Sequence, residues 1–123
     1  MNEIMTEKEY VPFGVEIYIS NFDKSLEFYR DVLGFKPIRI DPSHNFASFE
    51  FHKAIFMIEE KPQQVSPTRG IVMRFIVPEV RTYYDELIKK GVEIYKPLKV
   101  ADYGSVRFYI KDPDGYELKF AGK

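Results

Sequence analysis

Seven side chains are of types that could act together on a small molecule: Glu16, Tyr18, Arg74, Arg107, Tyr109, Glu117 and Lys119. A guanidinium grips a carboxylate or phosphate through two parallel hydrogen bonds, and an ammonium meets the same groups, or an enolate, as a point charge. Tyrosine rings stack on a planar ligand, and their hydroxyls hydrogen-bond to it. Glu16 or Glu117 could serve as a general base only with a raised pKa, whereas neighbouring arginines lower it. Other chemistries leave little trace. The chain has no cysteine, which excludes disulfides, thiolate metal sites and cysteine nucleophiles. Its two histidines, His44 and His52, fall in a loop and at a strand end and are expected to face solvent. No serine stands in a nucleophile elbow, and the seven glycines are scattered singly at turns, so no phosphate-cradling loop exists.

What brings the seven together is a unit written twice. "VEIYIS" alternates Val15, Ile17 and Ile19 against Glu16, Tyr18 and Ser20, as a half-buried strand does. "NFDKSLEFYRDVLGF" then changes period: Phe22, Leu26, Tyr29 and Leu33 recur at helical spacing, with Asn21 as N-cap and Gly34 as stop. "FKPIRI", "NFASFEF" and "AIFMIEE" follow as three short strands. The second half repeats the order. "VMRFIV" is a strand, and "PEVRTYYDELIKKG" is a helix with Pro78 near its start, Val80, Tyr84 and Leu87 on one face, and Gly91 at its end. "VEIYKPL", "SVRFYI" and "YELKF" close the chain, the last two joined by Asp112-Pro113-Asp114-Gly115. One offset, 58 residues from Val15 to Met73, superposes strand and helix together, so the repeat is real.

The expected fold is therefore α+β: two pseudo-symmetric βαβββ modules forming a cup-shaped, partly open β-sheet, with one helix outside each module. Module 1 spans about 11–60, a polar hinge about 61–69, module 2 about 70–121, and residues 1–10 form a polar tail, all within a single 1–123 domain. Strand alternation sends positions 15, 17, 19, 73, 75 and 77 under the helices and 14, 16, 18, 72, 74 and 76 into the cup. The same parity adds Met57, Glu59, Arg107, Tyr109, Glu117 and Lys119 to the cup, giving it both charge signs and two phenols. Glu16 and Arg74 hold equivalent places in the two halves. An open sheet face also carries such alternation for solubility alone. Phe46, Phe49, Phe51 and Phe56 are expected in core or dimer packing, and Tyr83-Tyr84 with one ring inward and one outward.

Composition bounds the partners. Apolar residues make up 45% of the 123, with eleven Phe and nine Tyr, enough for a substantial core. A net charge of −1 with interspersed signs leaves no footprint for nucleic acid or a membrane surface. No apolar run reaches membrane-span length, and "MNEIMTEKEY" lacks a signal-peptide pattern, so a cytoplasmic protein is expected.

"ISNFDKSLEFYRDVLGF", "ELIKKGVEI" and "FYIKDPDGYELKF" make the chain resemble the vicinal oxygen chelate superfamily: glyoxalase I, extradiol dioxygenases, fosfomycin-resistance enzymes and bleomycin-resistance proteins. The resemblance implies paired βαβββ modules and a homodimer. Its metal-dependent members hold a divalent ion on one ligand from the first and one from the last strand of each module. Carried over residue by residue, those positions are Gly14, Met57, Val72 and Lys119. Glycine and valine offer no donor, the Met sulfur is soft, and a lysine ammonium repels a cation. No metal or other cofactor is expected; a shifted set of Glu16, Glu59 and Glu117 is the alternative. The reading that follows is a protein similar to the metal-free bleomycin-resistance members, binding or sequestering a small planar or anionic molecule. A glyoxalase-like lyase, isomerase or dioxygenase with a non-standard site is the alternative, with no catalytic residue assigned, and a protein-interaction module is the third.

Overall fold

A computed structural model describes residues 13–67, 69–101 and 104–123. The polar tail expected at 1–10 lies outside the described residues. The chain divides into two compact units between Val65 and Ser66.

In the first unit, β1 (Val15–Ile19) leads into α1 (Phe22–Leu26), followed by β2 (Lys36–Asp41), β3 (Phe46–Phe51) and β4 (Ala54–Glu60). Its sheet has the order β1-β4-β3-β2, with β1 parallel to β4 and the other pairs antiparallel. The second unit repeats this with β5 (Met73–Ile76), α2 (Val80–Lys89), β6 (Ile94–Val100), β7 (Val106–Lys111) and β8 (Glu117–Gly122). Its order is β5-β8-β7-β6, again with the first strand parallel to the last. The result is α+β: two open, mixed, four-stranded sheets, each in a βαβββ unit. No helix among the described residues is long and apolar enough to cross a membrane.

Alternation decides the faces. Ile17, Ile19, Met73, Phe75 and Val77 are buried, while Glu16, Val72, Arg74 and Ile76 between them are exposed. Asn21 caps α1 as expected, its side chain accepting the Lys24 amide at 3.0 Å. A second cap comes from 38 residues away: the Glu60 carboxylate accepts the Phe22 amide at 2.8 Å and the Asn45 side chain at 3.0 Å. This carboxylate thus ties the helix start to the β2–β3 loop, and its charge suits the positive end of the helix.

Two local expectations are corrected. α1 is not α-helical throughout: after Leu26 it continues as a π-helix over Glu27–Val32, and the Leu33 amide reaches back to the Phe28 carbonyl at 2.9 Å. Its inward face is Phe22, Ser25, Tyr29 and Leu33, with Leu26 only half-buried. Ser25 is small enough to let the helix close on β4. The buried Tyr29 ring sits 4.7 Å from Phe56 and 5.4 Å from Phe35, centroid to centroid. In α2, Tyr83 and Tyr84 do not divide between core and solvent. Both rings reach Phe108, at 6.3 and 4.9 Å, because a ring at either position can lean over the same sheet. Phe49, Phe51 and Phe56 are core, but Phe46 is half-buried on the face away from α1, with the Arg39 guanidinium over its ring.

Candidate functional site

Each sheet keeps one face free of its helix, and the two faces differ. In the second unit, backbone register aligns Arg74, Lys119, Tyr109 and Lys96 in one row across β5, β8, β7 and β6. Two residues along β7 and three along β6, Arg107 and Lys99 form a second row; in the opposite direction Lys111 faces Glu117. Among the described residues, the open face of this sheet thus carries Arg74, Lys96, Lys99, Arg107, Lys111 and Lys119 against one carboxylate, Glu117. Among the described residues, none of these six cations is ion-paired to a carboxylate.

Aromatic rings hold the ammonium groups instead. The Lys96 Nζ lies 4.7 Å and the Lys119 Nζ 5.6 Å from the centre of the Tyr109 ring. Lys111 Nζ lies 4.1 Å from the centre of the Tyr95 ring. A ring face attracts a cation without neutralising it. A depression of about 350 Å³ opens here, lined by Lys96, Pro97, Leu98, Lys99, Arg107 and Tyr109.

Sequence reasoning missed Lys96 and Lys99. Counting by twos from the half-buried Ile94 sends 96 under the helix with it. Register shifts between Ile94 and Lys96, and again between Lys96 and Lys99, reverse that parity. The one signal available was Pro97, which inside a strand marks an edge or a bulge; β6 is the edge strand of its sheet.

The first unit's open face has the opposite character. It carries Glu16, Asp41, Glu50 and Glu59 against Lys36 and Arg39, by register with Met57, Ser48 and Phe46. Tyr18 and Glu59 are engaged by Lys61, whose Nζ lies 4.9 Å from the Tyr18 ring centre and 3.9 Å from the Glu59 carboxylate. Asp41 accepts from the Ser43 hydroxyl at 2.6 Å and contacts His44 Nδ1 at 2.9 Å, and these hydrogen bonds hold its pKa down at about 2. His44 and His52 are both exposed. Of the seven candidates, then, Arg74, Arg107, Tyr109, Glu117 and Lys119 share the free face of the second unit's sheet, and Glu16 and Tyr18 share that of the first.

The four ligand positions do not fit a divalent cation. A Cβ on Gly14 would stand 3.2 Å from the Ile55 carbonyl oxygen, so even a side chain introduced there would be crowded. Met57 is half-buried opposite Glu16, Val72 is exposed, and Lys119 is one of the six cations just described. No group of three or more His, Asp or Glu that could hold a metal occurs among the described residues.

Comparison with known proteins bears on this fold. A model of the Glyoxalase/Bleomycin resistance protein/Dioxygenase superfamily matches residues 13–120. Among solved structures, the chain is similar to a lactoylglutathione lyase from Agrobacterium tumefaciens (TM-score 0.73, 18% identity, 91% of this chain and 92% of that one). It is also similar to a glyoxalase/bleomycin resistance protein/dioxygenase from Alicyclobacillus acidocaldarius (TM-score 0.74, 18% identity, 95% and 94%). A glyoxalase family protein from Enterococcus faecalis aligns with TM-score 0.70 at 25% identity, over 88% and 94%. At 18% identity such likeness carries the fold alone. No curated protein matches significantly.

Proposed function

The chain belongs to the Glyoxalase/Bleomycin resistance protein/Dioxygenase superfamily, and we propose that within it this protein binds and holds a small anionic or planar molecule without a metal ion. The observation that carries the reading is the set of cations on the second sheet. Arg107, Lys96 and Lys99 surround Tyr109 in a depression of about 350 Å³, with no carboxylate paired to them among the described residues. That volume suits one small ligand. Desolvating a carboxylate or phosphate is offset best where guanidinium and ammonium groups already converge.

Holding rather than converting is supported by the donor set. Glycine and valine bring no ligand atom, and Lys119 puts a positive charge where a metal would need a negative one. Glu117, the one carboxylate on that face among the described residues, lies opposite Lys111. We further take the protein to act as a homodimer, supported by exposed Ile71, Val72 and Ile76 on and before the edge strand β5; light scattering at micromolar concentration tests this.

A thermal-shift screen of anionic and planar compounds is the direct test. Stabilisation by at least one class that Arg107→Ala and Arg74→Ala both diminish is expected. Hits indifferent to both substitutions would move the site elsewhere. Stoichiometric divalent metal in the purified protein, or chelator-sensitive turnover of the glutathione hemithioacetal of methylglyoxal, would replace binding by catalysis.

A further inference from the structure

Resting on the reading just given, we infer that the ligand of the second sheet is a compact molecule with two anionic groups, phosphate or carboxylate, about 7 Å apart on a skeleton that need not be aromatic.

The spacing comes from the register. Lys119 and Lys96 flank Tyr109 in one row, while Arg107 and Lys99 form the next row, two residues along β7 and three along the irregular β6. Side chains two residues apart on a strand share a face and are separated by roughly 6.5–7 Å, the step from Tyr109 to Arg107. The depression is lined by cations of both rows, Lys96 from the first and Lys99 and Arg107 from the second. One anionic group therefore meets one row and a second meets the other. A ligand with one anionic group leaves one row without a counter-charge.

The indifference to planarity comes from the rings. Tyr109 is the ring that a planar ligand would use, yet Lys96 and Lys119 both approach it within 5.6 Å of its centre. Tyr95 is approached in the same way by Lys111 and Lys96. These rings serve to hold like-charged ammonium groups near one another. Such a cluster is poised for an anion, because an incoming negative charge relieves the repulsion the rings only partly offset. Recognition is by charge and spacing.

Titration calorimetry at low salt distinguishes the outcomes, using propane-1,3-bisphosphate, propyl phosphate, adipate and neutral nicotinamide as probes. We expect the bisphosphate or adipate to bind roughly tenfold or more tightly than propyl phosphate. Whichever of the two binds more tightly identifies phosphate or carboxylate as the favoured group. Lys96→Ala and Arg107→Ala, one from each row, should each reduce that advantage to near nothing, and Lys61→Ala in the first unit should leave it intact. Circular dichroism of each variant separates lost binding from lost folding, and Lys99→Ala replaces Arg107→Ala if the latter unfolds. Equal affinity for the bisphosphate and propyl phosphate, both weakened by Arg107→Ala, would sink the two-group ligand and spare the binding site. Nicotinamide binding that Tyr109→Ala removes would likewise make the site a stacking one. If no probe binds, the two-group ligand is wrong, and the broader thermal-shift screen judges the binding reading by itself.

Discussion

Lys119 stands where a metal-dependent relative has a ligand, and it also belongs to the row that joins Arg74 to Tyr109. The two facts predict different responses to Lys119→Glu. Restoring a carboxylate should not restore metal binding, because Gly14 and Val72 still contribute no donor. It should instead weaken binding of an anionic ligand by roughly tenfold or more, since a cation is lost and a like charge gained. Calorimetry with anion and with divalent metal on the same variant checks both. Tyr83 offers a second test. Burial drives its phenol far above the ordinary value near 10, with Glu86 adding to the effect. Below that value the phenol is neutral in folded and unfolded chains alike. Above it, the unfolded chain releases a proton that the folded chain keeps, so stability falls as pH rises past about 10. Tyr83→Phe should move the alkaline unfolding midpoint upward in a circular-dichroism titration. Tyr116, also raised by burial, leaves part of the sensitivity in place.

Turns and junctions carry their own strain. β3 and β4 are joined by His52 and Lys53, both at positive φ, +47° and +71°. Residues other than glycine pay roughly 1–2 kcal/mol each for that conformation, and Asn-Gly is the pair such a two-residue hairpin favours. The His52 ring meets the edge of Phe51 at 4.5 Å, a contact of roughly 0.5–1.5 kcal/mol. The double change His52→Asn, Lys53→Gly should therefore give a net gain of about 1 kcal/mol, read as a higher urea midpoint at unchanged m-value. At the end of β8 the margin runs the other way. A Cβ on Gly122 would run into the Val77 carbonyl oxygen and come within 2.7 Å of Val80 Cγ2. Gly122→Ala should cost about 1–3 kcal/mol and lower the thermal midpoint accordingly. These elements also mark how far local reading reaches. Both helices were bounded by residues in plain view, Asn21 and Gly34, Pro78 and Gly91, because caps and stops act over a few positions. The Glu60 cap, the π-turn after Leu26 and the parity reversal in β6 were hidden. The first depends on a carboxylate from another strand and the last on an irregular ladder, both beyond the local pattern, and helical periodicity alone does not distinguish a π-turn from an α-helix.

Across the whole molecule, the doubled pattern was legible because burial imposes the same period on both halves. The free faces were not, since charge there answers to no packing rule. That is why parity placed Arg74, Arg107, Tyr109, Glu117 and Lys119 on one face but missed Lys96 and Lys99 beside them. The cations gathered there have a practical corollary in how the protein should behave on a column. At a formal net charge of −1 and pI near 6.1, it ought to be repelled by a cation exchanger at neutral pH. A resin surface, however, senses charge only within about a Debye length, roughly 10 Å at 0.1 M salt. The second unit's cationic face should therefore delay the protein on a phosphate-bearing resin at pH 7 and about 0.1 M salt. Loss of that delay in Lys96→Ala/Lys99→Ala/Arg107→Ala would trace it to that face. A protein whose bulk titration looks nearly neutral would thus behave on such a matrix as a base.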